Sequence, residues 1–278
     1  MRRLRVWSWN VAGAHVWDQL RDADVDVALL QEAPPPPEGW SVAVVPDPAG
    51  GWHTAGWDPD RWRRRTAVVA ASSRVRLDPW RLHGLDAVHQ AGLVESRAGT
   101  LAAADVHVEG ETITLVSVYA AWEPDAHTPP RMRYADAAAH RLLSDISGLL
   151  TGRRDHRVIA AGDLNILNRY GEHHDTYWAG RYASVFDRAD ALGLAFVGPQ
   201  APNGHQANPP PPELPDGSRD VPTFRARRGD PASATRQIDF VFATPTLADR
   251  LTVRALNSND EWGDSDHCRI EIDLHPPR

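Results

Sequence analysis

The chain has 278 residues, 42% of them hydrophobic and 24% charged, and its 30 basic residues against 37 acidic ones give a formal charge of −7. These proportions exclude a disordered or collagen-like chain and a uniformly basic nucleic-acid packaging protein. One cysteine, Cys268, excludes an internal disulfide and a thiolate metal cluster, and charge interrupts every apolar run well short of the roughly 20 residues a membrane helix needs.

In chain order, Leu4–Trp9 alternates apolar and polar residues and Val25–Leu30 is a short apolar run, so both are predicted as buried strands. His15–Arg21 between them has room for one or two helical turns. Pro34–Pro37 forbids regular structure, so the second strand is expected to hand Gln31-Glu32 to a loop. Val42–Val45, Thr66–Ala71, Thr100–Val108 and Thr112–Tyr119 are further strands, the last two a hairpin turning at Glu109-Gly110-Glu111. Arg131–Leu150 carries apolar residues at helical spacing, with Gly152 as a stop. Val158–Ala161 is a buried strand running into Gly162-Asp163-Leu164-Asn165, and Arg181–Leu192 is a second helix ending at Gly193. Residues 198–222, with Pro209–Pro212, form a long polyproline-rich surface loop. Ile238–Ala243 and Arg269–Leu274 close the chain as strands. No repeat or linker divides it, so a single α/β domain over residues 1–278 is expected. MRRLRVWSWN has no apolar leader or small-residue cleavage site, which predicts a cytoplasmic protein.

Several predicted strands end in the same chemical kind of residue. Asn10 follows the first, Glu32 the second, and Asp163 with Asn165 follow Val158–Ala161; Asp239 opens a strand and Asp266-His267 precedes the last. Singly, each is an ordinary turn former. Gathered on one rim, they supply oxygen ligands for a hard cation, a carboxylate to take a proton from water and an imidazole to stabilise an oxyanion. Mg²⁺ needs only one or two carboxylates, which Glu32 and Asp266 provide. Asp163 has the type of a general base with Asn165 as its orienting amide, and His267 can donate to a phosphate oxygen with Asp239 fixing its tautomer.

The motifs WNV at Trp9–Val11, QE at Gln31-Glu32, GDLN at Gly162–Asn165, IDFVF at Ile238–Phe242 and SDH at Ser265–His267 stand in the order and spacing of the endonuclease/exonuclease/phosphatase superfamily. The chain therefore resembles exonuclease III and DNase I. The resemblance implies a four-layer α/β sandwich, two packed mixed β-sheets flanked by helices, and Mg²⁺- or Mn²⁺-dependent phosphoester hydrolysis. It implies a metal side of Asn10, Glu32 and Asp266, and a catalytic set of Asp163, Asn165, His267 and Asp239. Tyr134 in PRMRY is the best match to a phosphate-contacting tyrosine of the exonuclease III branch. The chain departs from the pattern where Ala12 replaces an aspartate of some nucleases, and where Tyr119-Ala-Ala-Trp122 replaces Tyr-x-Pro.

Tyr119, Trp122 and His205, the last in the loop before Val221-Pro222-Thr223-Phe224, are the candidate substrate contacts. Arg61-Trp62-Arg63-Arg64-Arg65 is the densest basic stretch and could track a phosphate backbone. Arg236-Gln237-Ile238-Asp239 stands where inositol phosphatases carry a tryptophan-cysteine-aspartate-arginine block, which disfavours that branch, and no membrane-facing hairpin of the sphingomyelinase type is visible. The expected partner is a nucleic acid, with a small phosphoester as the alternative substrate, no membrane, and a monomeric enzyme.

Overall fold

The computed structural model describes residues 2–48, 52, 64–87, 91–124, 133–150, 156–226 and 229–277. Its elements begin β1 (Leu4–Asn10), α1 (Trp17–Asp22), β2 (Val27–Ala33), β3 (Val44–Val45), β4 (Arg65–Ala70), β5 (Arg76–Pro79), β6 (Leu82–His83), β7 (Leu93–Val94), β8 (Leu101–Val108) and β9 (Glu111–Tyr119). They continue as β10 (Glu123–Pro124), β11 (Arg133–Tyr134), α2 (Ala135–Ile146), β12 (Val158–Asp163), α3 (Thr176–Ala191), β13 (Ala195–Gly198), β14 (Asp239–Ala243), α4 (Pro245–Ala248), β15 (Leu251–Leu256) and β16 (Arg269–Leu274).

Two six-stranded mixed sheets form, ordered β15-β16-β1-β2-β4-β3 and β13-β14-β12-β9-β8-β5. In each, one parallel pair, β1 with β2 and β9 with β12, stands among antiparallel neighbours. Period-two alternation explains how they pack. Leu4 and Val6 of β1, Val27 and Leu29 of β2, and Val68 of β4 meet Ala104, Leu115, Ile159 and Val241 of the other sheet in one buried core. Trp7, Trp9, Ala28, Leu30 and Val69 point the opposite way, onto Trp17 and Leu20 of α1. On the far side, Val116, Val158, Ala160, Phe240 and Phe242 receive Leu142 and Ile146 of α2 with Val185 and Phe186 of α3. Four layers result, as the sequence motifs imply. Burying each large aliphatic or aromatic side chain contributes about 1.5–3 kcal/mol relative to leaving it in water.

The differences from the predicted elements have local causes. α2 spans twelve residues rather than twenty, continued by a 3-10 turn at Ser147–Leu149; Arg131, Met132 and Gly152 lie outside the described residues. α3 begins five residues before its predicted start, because the Asp175 carboxylate accepts the Tyr177 and Trp178 amides as an N-cap. The second strand does not stop at Leu30. β2 runs to Ala33, and its pairing with β4 skips one position between Leu30 and Ala33, a bulge that carries Glu32 in the left-handed region at φ 48°. β5, β13 and β15 are strands the pattern did not single out, since short runs such as Ala195–Gly198 carry little periodic signal.

Gly162 decides how β12 can sit beside β9. Its φ is +155°, and a Cβ there would overlap the Val118 carbonyl of β9. Gly162→Ala is expected to cost roughly 3 kcal/mol or more, because backbone rather than a mobile side chain must give way. Urea unfolding checks this, and an unchanged midpoint would refute the close approach.

Candidate active site

Three of the predicted residues arrive on inner faces of the sandwich by strand parity. Asn10 follows Leu4 and Val6 along β1, Asp163 follows Ile159 and Ala161 along β12, and Asp239 precedes Val241 and Ala243 along β14. Asp163 is paired in register with Tyr119 on one side and Asp239 on the other. All three side chains are almost fully buried, as are Glu32 and His267.

Asn10 links the two sheets. Its Nδ2 donates to Asp163 Oδ2 at 2.9 Å and reaches Glu32 Oε1 at 3.4 Å, while its Oδ1 accepts the Ala12 amide at 2.9 Å. Asn10 is thereby a brace between two carboxylates, with its Oδ1 turned to the Ala12 amide. Asn165, itself in the left-handed region at φ 51°, gives Asp163 two more hydrogen bonds: its amide to Oδ1 at 2.7 Å and its Nδ2 to Oδ2 at 3.1 Å. The same Nδ2 donates to the Ala120 carbonyl at 3.1 Å, so two acceptors fix that nitrogen. His267 Nδ1 lies 2.9 Å from Asp239 Oδ2, and its Nε2 faces Asp163 Oδ2 at 3.8 Å.

A polar layer beneath these groups was not anticipated. Ser265 Oγ donates to the Asn10 carbonyl at 2.7 Å and accepts the His267 amide, pinning the last motif to the end of β1. Thr223 Oγ1 accepts the amides of Ile238 and Asp239. Gln31 Nε2 donates to Ser117 Oγ, whose hydroxyl donates to the Leu30 carbonyl, tying β2 to β9 under the site. Ser265 and Gln31 stand inside the quoted motifs and Thr223 beside Phe224, so adjacency to a reactive residue was the available signal.

Burial and charge act in opposition here. Desolvation raises the Asp163 carboxyl to about 7, against the pull of His267 and with a push from Asp239. For His267, burial disfavours the charged ring, but Asp239 and Asp163 outweigh it and raise the imidazole to about 10. A protonated, doubly faced imidazole beside a carboxyl poised near neutrality is suited to moving one proton and stabilising one anion.

The remaining predicted residues spread out. Asp266 is half-buried, with Ser265 Oγ 3.4 Å from its Oδ1. Tyr119 is 2% exposed, so the expected substrate contact is corrected: its ring is covered at the strand end. Trp122 is 40% exposed and shares a cavity wall with Asn165. His205 lines a different cavity with Asn257 and Trp262, so the expected link to the centre is not found. Tyr134 packs against Trp178 at 5.5 Å and under the Arg181 guanidinium at 4.9 Å. Of the basic stretch, Arg61, Trp62 and Arg63 lie outside the described residues; Arg64, partly exposed, pairs with Glu32 at 3.3 Å, and Arg65 is buried at the start of β4. Among the described residues no three His, Cys, Asp or Glu side chains gather as a metal cage. Glu32 and Asp266 are carboxylates of the type taken by a hard cation that keeps most of its waters.

A family model described as Endonuclease/Exonuclease/phosphatase family matches residues 7–267. The chain belongs to that family. Its fold is shared with an AP endonuclease, LMAP, from Leishmania major, at TM-score 0.63 and 17% identity over 99% of this chain and 89% of that one. The 3′-5′ exonuclease NExo from Neisseria meningitidis aligns at TM-score 0.60 and 19% identity, covering 98% and 100%. The APE2 catalytic domain from Xenopus laevis aligns at TM-score 0.63 and 16% identity, covering 99% and 94%. No curated protein sequence matches. No described helix is long and apolar enough to cross a membrane.

Proposed function

We propose that this family member is a divalent-metal-dependent nuclease that hydrolyses DNA or RNA phosphodiesters by in-line attack of water. The observation that carries the reading is the single buried network in which Asn10 and Asn165 hold Asp163 while Asp239 holds His267. Solved structures of the same fold are named as an AP endonuclease and a 3′-5′ exonuclease, which supports a nucleic-acid substrate.

In this reading Asp163, held in place by Asn10 and Asn165, takes the proton of the attacking water. His267 donates from Nε2 to a non-bridging phosphate oxygen, and Asp239 accepts the Nδ1 proton so that the ring keeps its orientation. Glu32 and Asp266 would hold Mg²⁺ or Mn²⁺, which when bound neutralises phosphate charge. Trp122 keeps a place beside the substrate path in the cavity wall it shares with Asn165.

The test offers labelled single-stranded DNA, duplex DNA, abasic duplex and RNA with Mg²⁺, Mn²⁺ or EDTA. Cleavage that EDTA abolishes is expected. Release of phosphate from small phosphoesters with no cleavage of any polymer would instead favour the alternative substrate, which the net charge of −7 suits.

A further inference from the structure

Beside the proton-handling centre lies a cavity of about 570 Å³ whose walls include Trp122, Asn165, Trp178, Tyr182, Phe224 and Arg236. It adjoins that centre, since Asn165 in one wall holds Asp163 and Phe224 in another packs on the His267 ring at 5.1 Å. The aromatic side is built rather than incidental. Trp178 stacks on Tyr182 at 5.8 Å with 30° between the planes, and Tyr177 and Tyr134 brace Trp178 from other directions. One polar device stands in the wall: Arg236 Nη2 and Glu172 Oε1 are paired at 2.5 Å, and both side chains remain partly exposed.

Resting on the nuclease reading, we propose that this cavity takes the unpaired base of the nucleotide being hydrolysed, so that the preferred substrate is a single strand or a frayed end rather than intact duplex. Flat aromatic walls offer stacking to any base, and the Arg236–Glu172 pair offers a donor and an acceptor to its edge. In a duplex the bases are stacked inside and paired, and a phosphate at Asp163 would leave the cavity facing sugar and backbone. An unpaired nucleotide turns its base into the cavity and trades water for stacking, which is worth about tenfold or more in affinity per base.

The experiment measures binding in EDTA, where no hydrolysis occurs, of a fluorescein-labelled twelve-nucleotide thymidine strand and of a blunt labelled hairpin duplex, by anisotropy at fixed salt. The single strand is expected to bind at least tenfold more tightly. Trp178→Ala is expected to weaken single-strand binding about tenfold and leave duplex binding unchanged. Trp122→Ala, at an exposed position with little folding cost, is expected to act in the same direction to a smaller extent. Equal affinity for strand and duplex, or an equal loss for both in these variants, would overturn the base cavity while leaving the nuclease reading standing. Absence of binding to either nucleic acid by folded wild type would overturn both.

Discussion

Asp163→Asn is expected to lower turnover by about a hundredfold to ten-thousandfold, the range associated with removing a general base. Asparagine keeps the shape and one acceptor for the Asn165 backbone amide but turns an NH2 toward the Asn10 and Asn165 side-chain amides that now bond to Oδ2, so some stability is lost, and Asp163→Ala would orphan all three donors. Sequence reasoning places this carboxylate on a rim where it packs against little; in the structure it is 1% exposed. That burial makes stability a second readout. Desolvation raises the Asp163 carboxyl from 3.8 to about 7, so the folded protein holds its proton more tightly than the unfolded chain. The resulting stabilisation is fully present below 3.8 and is lost as pH rises through 7. In EDTA, the Tm of Asp163→Asn is therefore expected to gain on wild type as pH rises from 4 to 7.5. A Tm difference that does not change with pH, or turnover within threefold of wild type, would refute the assignment.

His267→Gln is expected to cost about a hundredfold to a thousandfold in turnover, as for loss of one preorganised donor to a developing anion. Its ring is held charged because Asp239 and Asp163 outweigh the burial that opposes the charge, and the raised value of about 10 keeps it a donor at neutral pH. Glutamine leaves the two carboxylates facing without a cation, so a lower Tm is also expected. Rates are therefore compared at a temperature where circular dichroism shows both proteins folded. Asp239→Asn tests the positioning half of the argument. It retains the imidazole but removes the 2.9 Å carboxylate contact that orients it, and a loss in kcat with KM unchanged is the expected signature. Wild-type turnover in His267→Gln would mean that Ser265–His267 serves only to tie β16 to β1.

The candidate site was legible because phosphoester hydrolysis needs particular side chains at strand ends, and strand ends are marked by a change from apolar runs to carboxylates and amides. Asn10, Asp163, Asp239 and His267 are candidates on this ground and meet in the structure, and the two-sheet sandwich is what the resemblance carried by the same motifs implies. The bulge that carries Glu32 was not legible: the proline run Pro34–Pro37 suggested an early stop, while pairing with β4 keeps the backbone extended to Ala33. Tyr119 and His205 had the right residue types near the right motifs, yet burial of one and a separate cavity for the other depend on contacts distant in sequence.

The aromatic cavity shows the division most clearly. Trp122, Trp178, Tyr182, Phe224 and Arg236 come from five positions spread over more than a hundred residues, and of these only Trp122 is a candidate substrate contact from the sequence. By itself the sequence determined which side chains are candidates for the site, through local alternation that sends every second side chain to one face and through short motifs that end those strands. Only the tertiary structure decided that Asn10 braces two carboxylates, that Arg64 lies on Glu32, and that an aromatic cavity opens beside Asp163. Those outcomes depend on which strands become neighbours and on how closely the two sheets approach, and packing of distant segments, rather than local periodicity, sets both.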